Sequence, residues 1–188
     1  MLEVTFIFLG LSLDSFVAMM QKGASLKELP LKKTLIYTFL FTLIHTAALA
    51  FGYLLSNVFT GFLPDGKIQM SIAGLLCFSV GNYILIRTLL QKAFVEKLDR
   101  HFDVKSLARL AVFTSVTTVI VGVGFSLFGI EMVQALWRAF VVSFLAVAIA
   151  LNIGYSMGAG YQKVLGITGS ILMIVFSIWL LAKFLLMR

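Results

Sequence analysis

The chain has 188 residues, of which 61% are hydrophobic and only 12% charged, with a net charge of +7. A mean hydropathy of +1.05 excludes a soluble domain of this size and points to an integral membrane protein with almost no extramembrane domain. The positive charge reads as loops facing anionic lipid, with no nucleic-acid-binding patch, and the single cysteine, Cys77, can form no intrachain disulfide.

The first apolar run, Leu2–Met20, is long enough to cross a bilayer as a helix, which takes roughly 20 residues. It has no basic flank and carries Glu3 and Asp14, so it does not read as a cleavable signal peptide. Asp14 sits near its middle, where a carboxylate is costly and normally serves an ion pathway, a proton relay or a substrate contact. A purely structural role could be filled by Ser or Asn at lower cost. Gly10, Asp14 and Ala18 share one face of this helix, and the small residues there allow another helix to come close. The second span, Thr34–Ser56, contains His45, which could ligate a metal, carry a proton or simply pack. A lone His in an apolar helix most often packs. The third span, Ile68–Leu90, contains Asn82 and, one turn from its end, Arg87, which is expected to snorkel to the interface instead of gating. The segment Gln91–Leu107 alternates charge with Phe94, Leu98 and Phe102 at helical spacing. It reads as a charged cytoplasmic loop or a short amphipathic surface helix. The fourth span, Ala108–Gly129, carries Ser115 and Thr117, and its small polar face Thr114, Thr118, Gly122 suits a contact between the first three spans and the last three. The fifth, Ala135–Met157, carries Asn152, and the sixth is Val164–Met187.

The connections after the first and third spans are rich in Lys and Arg, which assigns them to the cytoplasm and both termini to the outside. Three spans followed by three is an odd-numbered unit, so homologous halves would be inserted upside down relative to each other. Ser12-Leu13-Asp14-Ser15-Phe16-Val17 resembles Ser115-Val116-Thr117-Thr118-Val119-Ile120. Phe51-Gly52-Tyr53 resembles Ile153-Gly154-Tyr155, and Ile72-Ala73-Gly74 resembles Ile167-Thr168-Gly169. The predicted fold is therefore all-α: six transmembrane helices as two inverted three-helix repeats, 1–90 and 108–188, joined by the charged loop 91–107.

Asp14, His45, Asn82, Thr117 and Asn152 fall at similar depth, with Ser12, Ser115 and Thr118 close in sequence. Intramembrane polar groups normally face protein or a water-filled cavity, so these residues could converge on one midplane site. Carboxylate, hydroxyl, amide and carbonyl oxygens suit hard divalent cations such as Mn²⁺ or Mg²⁺. Asp14, Ser12, Thr117, Ser115 and His45 are the candidate metal residues. Asn82 and Asn152 fit interhelical hydrogen bonding better than substrate ligation. No catalytic triad, zinc-protease motif, phosphate loop or nucleotide motif occurs, so the expectation is a non-enzyme without a cofactor.

Gly10-Leu11-Ser12-Leu13-Asp14-Ser15-Phe16, followed by Lys22-Gly23-Ala24-Ser25, resembles the start of the MntP-type manganese efflux pumps. The helix-four segments Thr114-Ser115 and Gly122-Val123-Gly124 are similar to that family as well. The resemblance implies six transmembrane helices in two three-helix repeats and export of Mn²⁺ from the cytoplasm, with Asp14 and Gly23 at positions that matter for transport. The family's helix-four aspartate corresponds to Thr117 here, its helix-two Glu to His45, and an acidic position near the end of helix three to Arg87. The expected setting is the plasma membrane of a bacterium. The bilayer and a divalent cation are the expected partners, nucleic acid is not, and a homo-oligomer is left open. The competing readings are a non-transporting membrane partner or regulator on the same fold and an exporter of a small organic solute.

Overall fold

The computed structural model describes residues 2–26, 31–60, 66–90, 104–158 and 160–186. Among them are six helices: α1 (Leu2–Ala24), α2 (Leu31–Thr60), α3 (Gly66–Leu90), α4 (Val104–Leu127), α5 (Met132–Met157) and α6 (Gln162–Leu186). Apolar runs without proline satisfy their backbone groups internally by forming helix, the economical solution where no water is available. Helices α2 to α6 each contain a stretch long and apolar enough to cross a membrane. α1 has 23 residues, about 35 Å at helical rise.

Several helices begin or end a turn away from the expected limits. α1 continues past Met20 to Ala24, and α4 starts at Val104 instead of Ala108. The charged segment expected over 91–107 lies outside the described residues as far as residue 103. α4 stops at Leu127, short of the expected Gly129, because Gly129 adopts a positive φ of 69°. The Gly129 N–H bonds to the Ser126 carbonyl and the Ile130 N–H to the Phe125 carbonyl. This pair of bonds closes the helix in the way glycine commonly permits. The Tyr53 hydroxyl then donates to the Ile130 carbonyl at 2.6 Å, tying the end of α2 to the α4–α5 turn.

α2 shows how the bundle separates lipid from core. Leu35, Phe39, Leu43, Phe51, Leu54 and Val58 lie on its exposed side. Thr38, Thr42, His45, Leu49 and Ser56 recur at helical spacing on its buried side. α1 packs against α5 and α6, α2 against α4 and α5, and α3 against α4 and α6, while α1 and α4 touch over a short stretch. Glycines set the closest approaches. Gly23 of α1 and Gly154 of α5 lie against the backbones of Leu151 and Met20. Gly122 of α4 and Gly52 of α2 lie against those of Leu49 and Val119. Gly10 of α1 packs on Met173 and Gly169 of α6.

Two apolar clusters fill the interior. One contains Phe8, Leu11, Leu49, Val121, Phe125 and Met173. The other contains Met19, Met20, Tyr37, Phe41, Ala111 and Leu151. Along α1 the boundary falls between Leu11 and Met19, along α2 between Phe41 and Leu49, and along α4 between Ala111 and Val121. The polar residues occupy those intervals.

Candidate functional site

Asp14 and Ser15 of α1 and Thr117 and Thr118 of α4 are all buried where the two helices meet. Carboxylate oxygen Oδ2 of Asp14 lies 3.5 Å from Thr117 Oγ1. The Thr117 hydroxyl has one proton, and its shorter bond, 2.7 Å, goes to the Thr114 carbonyl. The contact to Asp14 is therefore long and weak. The other carboxylate oxygen, Oδ1, lies 3.6 Å from a guanidinium nitrogen of Arg87 on α3. The Arg87 guanidinium also stands over the Phe113 ring of α4, 5.1 Å from its centre. The Arg87 side chain is 28% exposed and that of Asp14 only 9%. Arg87 thus does not behave as the expected snorkelling residue. Its long side chain turns inward, because a carboxylate with no counter-charge in this medium is costly and a guanidinium within reach relieves it.

His45 of α2 completes the cluster. Its ring lies 3.2 Å from the hydroxyls of both Ser15 and Thr118, and Phe41 stacks on it at 5.3 Å. A neutral imidazole has one donor and one acceptor nitrogen, so it can join one hydroxyl from each flanking helix. One and two turns away on the same buried side, the hydroxyls of Thr42 and Thr38 have no hydrogen-bond partner. Buried polar atoms in that condition are where water or a bound ion is accommodated.

The remaining candidates are arranged differently. Ser12 and Ser115 are buried, but their hydroxyls donate to Leu9 and Ala111 carbonyls of their own helices. Asn82 donates to the Phe78 carbonyl and Asn152, exposed on the outside of α5, to the Ala148 carbonyl. Neither asparagine makes the expected interhelical bond in these contacts. A side-chain amide beside its own helix backbone finds an acceptor four residues back without reaching across. Gly23 serves helix packing, against Leu151. The Thr114, Thr118, Gly122 face of α4 meets the first three helices at α2, through His45 and Leu49. Thr117, beside that face, is the residue that turns to α1.

Sequence reasoning missed the roles of Arg87 and Ser15. The signal for Arg87 was the isolated charge of Asp14 itself, which demands a partner. Among the described residues no three of His, Cys, Asp and Glu come together. A divalent cation at this cluster would be held by one carboxylate with hydroxyl and carbonyl oxygens, a hard-oxygen set.

Membrane-length apolar helices closed around a small buried polar centre define a multi-pass membrane protein. The chain belongs to the Mntp family, described as "Putative manganese efflux pump", which matches residues 28–181. A relative from Desulfitobacterium hafniense, named "Putative manganese efflux pump MntP", is 25% identical over 97% of this chain and 94% of its own length. One of the same name from Acetivibrio thermocellus is 23% identical over 92% of this chain and 86% of its own length. Another from Methanosphaera stadtmanae is 24% identical over 98% of this chain and all of its own length. The family match begins after α1, whereas these relatives' coverage leaves little room for α1 to fall outside it. No solved structure matches the chain.

Proposed function

We propose that this protein is a membrane transporter that exports a divalent metal cation, manganese, with Asp14 as the charged ligand of the ion. The observation that carries this reading is the Asp14 carboxylate, buried between α1 and α4 with only long contacts to Thr117 and Arg87. Its acceptor capacity is not used up by the protein. Thr117 and carbonyl oxygens nearby supply further hard ligands, and the relatives' names supply the ion. Transport draws on an ion or proton gradient, since no ATPase motif occurs in the sequence.

The proposal includes six membrane spans in two inverted halves, with both termini outside and the plasma membrane as the setting. Packing supports the repeat: α1 contacts α5 and α6 just as α4 contacts α2 and α3. The glycine contacts correspond too, Gly23 on Leu151 with Gly122 on Leu49, and Gly154 on Met20 with Gly52 on Val119. They match Gly23 to Gly122, whereas pairing Asp14 with Thr117 would match it to Ser126, about one turn further along the helix. The packing symmetry and the motif symmetry are thus offset by a turn.

The test is manganese tolerance and cell-associated manganese in a bacterium deprived of its own exporter. Wild type restores tolerance and lowers cell manganese, while Asp14→Asn, present at equal abundance in the membrane, does neither. Equal behaviour of the two, in either direction, would remove Asp14 from the transport site. The competing reading, a non-transporting membrane partner, draws on the contact that already engages Asp14 with Arg87; a wild type without effect on manganese would favour it.

A further inference from the structure

We propose that Arg87 is a tethered counter-cation, which occupies the Asp14 carboxylate in the empty protein and is displaced when a divalent cation binds there. The inference rests on the reading of this cluster as the cation site. Three observations carry it. The Arg87–Asp14 separation of 3.6 Å is longer than the roughly 2.7–2.9 Å of a charge-assisted hydrogen bond, so the contact is ionic and exchangeable. The two groups differ in freedom: Arg87 is 28% exposed and can withdraw, while Asp14, at 9%, is held within the bundle. Arg87 also has a second seat, because its guanidinium already stands 5.1 Å from the centre of the Phe113 ring. An aromatic face stabilises a cation without any carboxylate.

Charge arithmetic gives the consequence. With Arg87 in place the pair is neutral, and a dication added to it would leave two uncompensated positive charges in a poorly solvating interior. Withdrawal of Arg87 lowers the excess at the carboxylate to one. Arg87 therefore competes with the substrate for Asp14, weakening cation binding but keeping the empty site neutral. Thr117 cannot take over that role, since its hydroxyl is neutral and its short bond goes to the Thr114 carbonyl.

The experiment is calorimetric titration of Mn²⁺ into the purified full-length protein, with gel filtration as the check on folding. Arg87→Gln should bind Mn²⁺ at least about tenfold more tightly than wild type. Arg87→Lys, which keeps a tethered cation, should stay close to wild type, and Asp14→Asn combined with Arg87→Gln should lose the gain. Arg87→Gln binding no more tightly than wild type overturns the proposal, as does a gain that survives in the double variant. Should Arg87→Gln fail to fold, Phe113→Leu decides. Losing the second seat holds Arg87 on Asp14 and weakens Mn²⁺ binding; unchanged binding refutes the competition. The outcome separates from that of the export reading. Tight binding by Arg87→Gln through Asp14, with none by wild type, supports the competition and removes the export. Export by wild type with unaltered binding in Arg87→Gln does the reverse.

Discussion

Gly122 offers the sharpest test of the packing around the site. A Cβ built there stands 2.5 Å from the Leu49 carbonyl oxygen of α2, where ordinary contact begins at 3.4 Å. The obstacle is backbone, so α2 and α4 would have to part by about 0.9 Å. A gap of ~0.5–1 Å already forfeits a quarter to a half of a dispersion contact. Overpacking of this kind costs about 1–3 kcal/mol, offset by a gain of ~0.5–1 kcal/mol from replacing Gly with Ala in a helix. Gly122→Ala should therefore lose on the order of 1 kcal/mol, and Gly122→Leu, which the helix cannot clear by a small shift, should lose ~3 kcal/mol or more. Gly23→Ala, equally 2.5 Å from the Leu151 carbonyl, should behave like Gly122→Ala. Reversible unfolding in mild detergent, followed by circular dichroism, measures all three. If Gly122→Leu stays within ~0.5 kcal/mol of wild type, the range of an ordinary surface substitution, the α2–α4 contact is not as close as described.

Two further outcomes are expected. His45→Gln, which keeps a polar group of similar reach, should retain manganese export and lose about 1 kcal/mol of stability, one side-chain hydrogen bond's worth; loss of export at native stability would instead make His45 a ligand or proton carrier. For orientation, an impermeant maleimide applied to intact cells should label a cysteine at exposed Glu131 and spare cysteines at exposed Lys32 and Gly160, in a background without Cys77. Labelling of Lys32→Cys and Gly160→Cys with Glu131→Cys protected would reverse the assigned topology.

The sequence made some of this architecture legible for identifiable reasons. Apolar length announces a span wherever it occurs, so α2, α3, α5 and α6 could be outlined within a few residues. The matching motifs around Asp14 and Thr117 anticipated their contact, because a carboxylate amid small residues can be met only by a close neighbour. Direction was harder to read. In helices that are apolar nearly all round, composition does not tell which side faces lipid, and so Asn152 could be assigned to a central belt although it is exposed. For Arg87, sequence distance from the helix end is a poor measure of depth. Helix tilt and a flexible side chain uncouple those two quantities. Asp103, directly before Val104, is a residue type that favours helix starts, but apolar length alone places the start of α4 later, at Ala108.

The glycine contacts have a mechanical corollary. Where one helix's backbone rests directly on another's, sliding needs the two to separate first, and a close-packed interior resists that. α1 with α5, and α2 with α4, thereby behave as two stiff struts. The short seam between α1 and α4 is held otherwise, by long polar contacts that are cheap to break and remake. Asp14 and Thr117 lie on that seam, and the Ser15–His45 contact joins the two struts beside it. Rocking of one strut on the other would therefore open the bundle at the Asp14–Thr117 contact while leaving both struts intact.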